Sequence, residues 1–152
     1  MDEIDRKIIA HMQRDARASY AEVGAAVGLS VSAVNERLKK LQASGTIRGW
    51  RADLDPDAVG FGLLAFVLVL LDRPEHEAGF RAAMADTPAV LECHHVTGEW
   101  SYLLKVRASG TVALEDVLAR RIKSAPGVSR TLTTIALSSI KETAALPVGG
   151  PS

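Results

Sequence analysis

The sequence predicts an α+β protein in two parts: an N-terminal winged helix-turn-helix over residues 1–51 and a ferredoxin-like βαββαβ domain over residues 61–142. Three observations predict it. Two short helices with well-specified ends meet across a turn of about three residues, too tight for ordinary bundle packing. After Asp53-Leu54-Asp55-Pro56 the apolar pattern changes from helical spacing to strand-like runs. The elements that follow then alternate as strand, helix, strand, strand, helix, strand.

The first helix is predicted from Asp2, a helix-capping residue, to near Asp15, with Ile4, Ile8, Ile9 and Met12 on one face. Ser19-Tyr20-Ala21-Glu22 reads as a capping box, so the second helix starts at Tyr20 and buries Val23, Ala26 and Val27. Gly28 can take the left-handed conformation that closes it, and Ser30 caps the third helix. That helix carries Val31, Val34, Leu38 and Leu41 as its core stripe and stops at Gly45; Thr46 to Arg51 reads as a small wing. Ala52 to Gly60 is predicted to be a linker.

Downstream, Gly62 to Leu71 is predicted as a strand buried on both faces, and Glu75 to Ala85 as a helix carrying Phe80, Ala83 and Met84 inward. Val90 to Val96 and Tyr102 to Arg107 form two strands joined by the turn Thr97-Gly98-Glu99-Trp100-Ser101. Val112 to Lys123 supplies the last helix, with Val112, Leu114, Val117, Leu118 and Ile122 apolar, and Pro126-Gly127 turns into a final strand from Val128 to Leu137. Helices on one face of such a sheet leave the other face in need of cover, and face-to-face dimerisation is the simplest cover. Residues 143–152 are predicted to be a disordered tail.

A composition of 47% hydrophobic and 24% charged residues excludes disorder and fibre. The longest apolar run, Ala58 to Leu71, is too short to cross a bilayer and is broken by glycines, so no membrane is expected as a partner. No basic-then-apolar leader precedes the first helix, and the lone Cys93 allows no intrachain disulfide; together they indicate the cytoplasm. The net charge of zero conceals a local excess: Ser30 to Arg51 holds five basic residues and one acidic one.

That basic segment suits double-stranded DNA. Arg37, Lys39, Lys40, Arg48 and Arg51 are candidate phosphate ligands, which position a protein without reading sequence. Ser30, Ser32, Ala33, Asn35 and Glu36 lie at the start of the third helix, where bases are met; Asn35 suits adenine and Glu36 suits cytosine. Glu36 also stands four residues before Lys40, where a surface ion pair would account for it equally well.

Cys93-His94-His95 contains three metal-ligating side chains, but strand alternation places only residues 93 and 95 on one face, which argues against a metal. No Ser/His/acid set or phosphate loop appears, so no enzyme and no cofactor are expected. Gly98 serves the hairpin turn, and the exposed amides around it can bind a carboxylate; Thr131, Thr133 and Thr134 offer hydroxyls on the last strand or act as strand filler.

These stretches resemble the Lrp/AsnC (leucine-responsive, feast/famine) family of transcription regulators. Met1 to Ile9, Asp15-Ala16-Arg17 and Gly28 to Arg37 are similar to its opening and its helix-turn-helix, and Leu41 to Trp50 to the exit from it. Val96 to Val106 and Pro126 to Thr131 resemble the two most recognisable stretches of its effector domain. The resemblance implies a sequence-specific DNA-binding regulator, homodimers that assemble further into octamers, and a small effector, often an amino acid, bound between dimers. On this chain the effector residues would be Thr97, Gly98, Glu99, Trp100, Ser101 and Tyr102, with Thr131, Thr133 and Thr134. Many members carry aspartate where Ser101 stands here. The alternative reading is a ligand sensor or architectural DNA-binding protein with little sequence selectivity.

Overall fold

The computed structural model describes residues 1–148, and the chain divides into two compact units. One comprises residues 1–52 with the segment from Lys141 onward; the other is Asp53–Ile140.

The first unit holds α1 (Glu3–Arg14), α2 (Tyr20–Val27) and α3 (Val31–Ala43). Reciprocal capping boxes start α1 and α2: Asp2 with Asp5, and Ser19 with Glu22. Gly28 closes α2 at φ +74°, a conformation glycine adopts without a Cβ penalty, and Ser30 caps α3 by accepting the Ala33 N–H. Ile8, Met12, Val23, Val34 and Leu38 form the core, with Ile47 packed against it.

Some predicted faces are rotated. Val31 is 52% exposed and leaves the α3 stripe. On α2 the buried pair is Val23 and Gly24, while Ala26 faces solvent. Gly24 matters through space: a Cβ there would stand 2.5 Å from the Leu29 carbonyl oxygen. That missing side chain lets the chain fold back over α2, with the Leu29 N–H donating to Gly24 O at 2.9 Å.

The segment 46–51, expected as a wing, contains no strand and runs as an irregular exit anchored by Ile47. The tail expected to be disordered from residue 143 is instead tied to α1 within its described part. Gln13 Nε2 donates to Leu146 O at 2.9 Å, and the Leu146 N–H donates to Gln13 Oε1 at 2.7 Å. The rest of that predicted tail, residues 149–152, lies outside the described residues.

The second unit begins within the predicted linker, where residues 55–61 fold into a turn with the Phe61 N–H donating to Pro56 O. It contains β1 (Leu63–Leu71), α4 (Glu77–Ala85), β2 (Val90–His95), β3 (Tyr102–Ala108), α5 (Thr111–Val117) and β4 (Val128–Ile135). The sheet order β2-β3-β1-β4, antiparallel throughout, is the split βαβ arrangement. A turn of 3₁₀-helix, Pro74–His76, precedes α4, and α5 runs on into a π turn, Leu118–Ile122.

Aliphatic residues in register, Ala65 with Val106, Val67 with Leu104 and Val69 with Tyr102, form the covered face. Phe80 and Met84 of α4, Leu114 of α5 and Ile122 close over it. Phe80 and Tyr102 pack with ring centroids 4.9 Å apart, a tilted aromatic pair. Val112, expected inward, is 81% exposed. The prediction that β1 is buried on both faces is also corrected: helices cover one face, while Phe66 and Leu132 on the other remain 37% and 51% exposed. Arg107, on that second face, donates from Nη1 to Phe61 O and holds the chain entry to β1.

Candidate functional site

The base-reading candidates stand on the first two turns of α3. Ser30 caps the helix, and the Ser32 hydroxyl lies within hydrogen-bond distance, 3.1 Å, of the capping hydroxyl. Ala33 and Asn35 are half-buried on the flank, and Glu36, Lys39 and Lys40 are exposed. Glu36 and Lys40 form no ion pair among the described residues, so the surface-pair reading of Glu36 is not realised. Arg48 and Arg51, in the irregular exit, are likewise exposed, and Lys39, Lys40, Arg48 and Arg51 have no anionic partner among the described residues.

Arg37 differs from the other cations. Its Nη1 donates to Asp2 Oδ2 and to Asp5 Oδ1, each at 2.7 Å, and its side chain is only 30% exposed. It therefore joins α3 to the N-terminus of α1 and is not an unengaged phosphate ligand. The Asp5 backbone N–H, and after it the Arg37 guanidinium, hold the Asp2 carboxyl below the ordinary carboxylate range. The two carboxylates in turn raise Arg37. Asp2 was legible in the sequence as the cap of α1; its reciprocal box with Asp5 and its pairing with a residue more than thirty positions away were not.

The hairpin turn is bound to β1 and β4. The Ser101 N–H donates to Val69 O at 2.9 Å, and the Leu71 N–H donates to Ser101 Oγ at 3.1 Å. The Ser101 hydroxyl thus holds the turn against β1. Gly98 takes φ +101°, and Thr97 and Glu99 are exposed. Glu99 is ion-paired with Arg130, whose guanidinium carbon lies 4.7 Å from the centre of the Trp100 ring, a cation–π contact. Arg130 is the residue that sequence reasoning missed here. It lies at the start of β4, and only the sheet order shows that it faces the turn.

Tyr102 and the threonines lie elsewhere. Tyr102 is buried, accepts from Arg81 Nε at 2.6 Å and stacks on His95 with centroids 5.0 Å apart. It closes one end of a cleft of about 600 Å³ between α4 and β2, lined also by Met84, Val90 and Cys93. By register Thr131 and Thr133 share the helix-covered face and Thr134 points to the other, so the three do not converge on the turn. Cys93 and His95 face the cleft, and burial pushes the Cys93 thiol up. His94, on the opposite face, meets Glu92 at 3.0 Å; that contact, and after it Lys105, lowers the Glu92 carboxyl.

A capped helix pair with an exposed basic face, joined to a ferredoxin-like domain with one open apolar face, defines a two-domain DNA-binding regulator. Comparison with known proteins gives the family. An AsnC-type helix-turn-helix domain matches residues 1–42, and an Lrp/AsnC ligand binding domain matches residues 64–146. The chain is 36% identical over 148 residues to the HTH-type transcriptional regulator FL11 of Pyrococcus horikoshii, covering 97% of each chain. It is 38% identical over 138 residues to the HTH-type transcriptional regulator LrpA of Mycobacterium tuberculosis, covering 91% of each. The crystal structure of a Neisseria meningitidis transcriptional regulator in complex with L-Met superposes with a TM-score of 0.91 at 32% identity, covering 97% of this chain and 96% of that one. The protein belongs to the Lrp/AsnC family of transcriptional regulators. Among the described residues no helix is long and apolar enough to cross a membrane.

Proposed function

We propose that this regulator reads DNA with the exposed face of α3 and anchors it with the cations beside that face, as a homodimer that assembles further and responds to an amino acid. The observation that carries the DNA reading is Lys39 and Lys40, one turn along α3 from Asn35 and Glu36, with Arg48 and Arg51 in the exit that follows, all exposed and without an anionic partner among the described residues. Ser30, Ser32 and Ala33, at the α3 N-terminus, complete the surface presented to a major groove. Unpaired cations release counterions when they meet phosphates, and each such contact contributes about 0.9 to the slope of log affinity against log salt. Lys39→Ala with Lys40→Ala is therefore expected to flatten that slope by nearly two, on random and selected DNA alike. An unchanged slope removes both lysines from the interface. Binding of the parent protein to random and selected DNA with equal affinity would favour the architectural reading instead.

The effector proposal rests on the hairpin turn. Thr97, Gly98, Glu99 and Trp100 present backbone amides and an aromatic face beside Arg130, on a turn that Ser101 ties to β1 through its N–H and hydroxyl, a combination that suits an amino acid carboxylate. A structural neighbour at 32% identity is the L-Met complex described above, which supports the amino-acid class for this chain. Tyr102 then acts through the cleft with Arg81, and Thr131, Thr133 and Thr134 serve mainly as β-branched strand residues. A thermal-shift screen of the twenty amino acids tests this. A ligand at about 100 times its Kd adds roughly 2.7 kcal/mol to the folded state, and Arg130→Ala is expected to remove the shift. If none of the twenty raises the melting temperature, the effector is not a free amino acid.

A further inference from the structure

We infer that Arg37 is the positioning residue of the reading helix: together with Asp2 and Asp5 it sets the rotation of α3 about its axis, and so the base contacts, without itself holding a phosphate. The inference rests on the DNA-reading surface proposed above.

The two carboxylates are already divided between two tasks. Asp2 Oδ1 accepts the Asp5 N–H at 2.8 Å, and Asp5 Oδ2 accepts the Asp2 N–H at 2.9 Å, which is the capping box of α1. The remaining oxygens, Asp2 Oδ2 and Asp5 Oδ1, both accept from Arg37 Nη1. The guanidinium is thus a third member of a cap that belongs to a different helix. Asp5 is the more sheltered partner, with a side chain 15% exposed, so solvent screens this contact less than an open surface pair.

Geometry gives the tie its purpose. On the core side α3 is held by Val34, Leu38 and Leu41, aliphatic contacts that fix depth but carry little directional preference. The charge-assisted bonds to Arg37 are directional, and they attach to the flank of α3 directly after Asn35 and Glu36. At a side-chain radius of about 5–6 Å, a rotation of about 10° moves a reading atom by roughly 1 Å. Productive sites tolerate about 0.5 Å. Asn35 and Glu36 therefore depend on Arg37 even though it touches no base.

A positioning residue and a phosphate ligand differ in what their loss does to salt dependence. The test uses full-length protein, a DNA site selected from a random pool, and random DNA as the non-specific reference. Arg37→Ala is expected to weaken specific binding about ten-fold, as misplaced contacts do, while non-specific binding and the salt slope stay as in the parent. The decisive variant is Asp2→Asn with Asp5→Asn. Asparagine keeps both capping acceptors, but it turns the two remaining oxygens into amide donors that face the guanidinium.

That double variant removes two negative charges near DNA, yet it is expected to bind the selected site about ten-fold more weakly, with the slope unchanged. The inference is overturned if Arg37→Ala flattens the slope by about 0.9 with both affinities falling in parallel, or if the asparagine pair binds as tightly as the parent or more so. Should Arg37→Ala fail to fold by circular dichroism, the asparagine pair decides alone. A parent protein that does not distinguish selected from random DNA would overturn the DNA-reading proposal itself; variants that match a selective parent overturn only the role of Arg37.

Discussion

Replacing Phe66 and Leu132 with glutamate is expected to leave a folded monomer whose affinity for its DNA site is weaker by about two orders of magnitude. In the sheet register Leu68 stands opposite Leu132 and Phe66 opposite Thr134, all on the face that α4 and α5 do not cover. Both targets already meet solvent in the single chain, so the substitutions leave the fold near its original stability. Between two sheets stacked face to face, the same carboxylates would be buried without partners, which separates the copies. Two linked reading helices bind more tightly than one by their effective concentration, about 10²-fold or more, and a monomer forfeits that factor. Light scattering gives the mass, and a DNA shift assay gives the affinity. A double variant that keeps the parent's oligomeric mass places the interface elsewhere.

Gly24→Ala is expected to lower the stability of the helix-turn-helix unit by about 2 kcal/mol, from overpacking offset in part by helix propensity. The sign is informative. Alanine is the better helix former by about 1 kcal/mol, so at an unconstrained position in α2 the substitution would stabilise. Here the new Cβ would lie 2.5 Å from Leu29 O, a backbone atom that cannot move aside as a side-chain end does, and 3.6 Å from Val34 Cγ2. Relief requires α2 and α3 to open, which breaks the Leu29 N–H bond to Gly24 O and displaces α3 from its place over Val23 and Ile8. A fall of about 8 °C or more in the melting of this unit, with specific DNA binding reduced and the strand signal of the second unit retained, is the expected readout. A rise in melting temperature would show that the turn has slack.

Local chemistry accounts for what was legible from residues alone. Asp2, Ser19 with Glu22, Gly28 and Ser30 specify helix ends through bonds spanning a few residues, and each was found in its predicted role. The strand and helix order of the second unit followed from apolar period and from turns at Gly98 and Pro126-Gly127, and the sheet order matched the split βαβ arrangement. Faces were less legible. Val31, Ala26 and Val112 have suitable hydrophobicity and spacing, but they sit at helix ends or edges where no neighbour arrives to cover them. Gly24 gave no local signal, because its role depends on the carbonyl of a residue across the turn.

By itself the sequence determined the two-part α+β architecture, the capped helix pair and the basic stretch from Ser30 to Arg51, since these depend on neighbours along the chain. Tertiary structure alone decided which charges remain unengaged. Arg37 and Lys39 are both basic residues of α3, yet Arg37 is claimed by Asp2 and Asp5 while Lys39 stays in solvent. Arg130 meets Glu99 and Trp100 only because β4 lies beside β1 at the end where the β2–β3 turn closes. A charge acquires its role from what folding brings within about 4 Å of it, and separation along the chain carries no record of that distance.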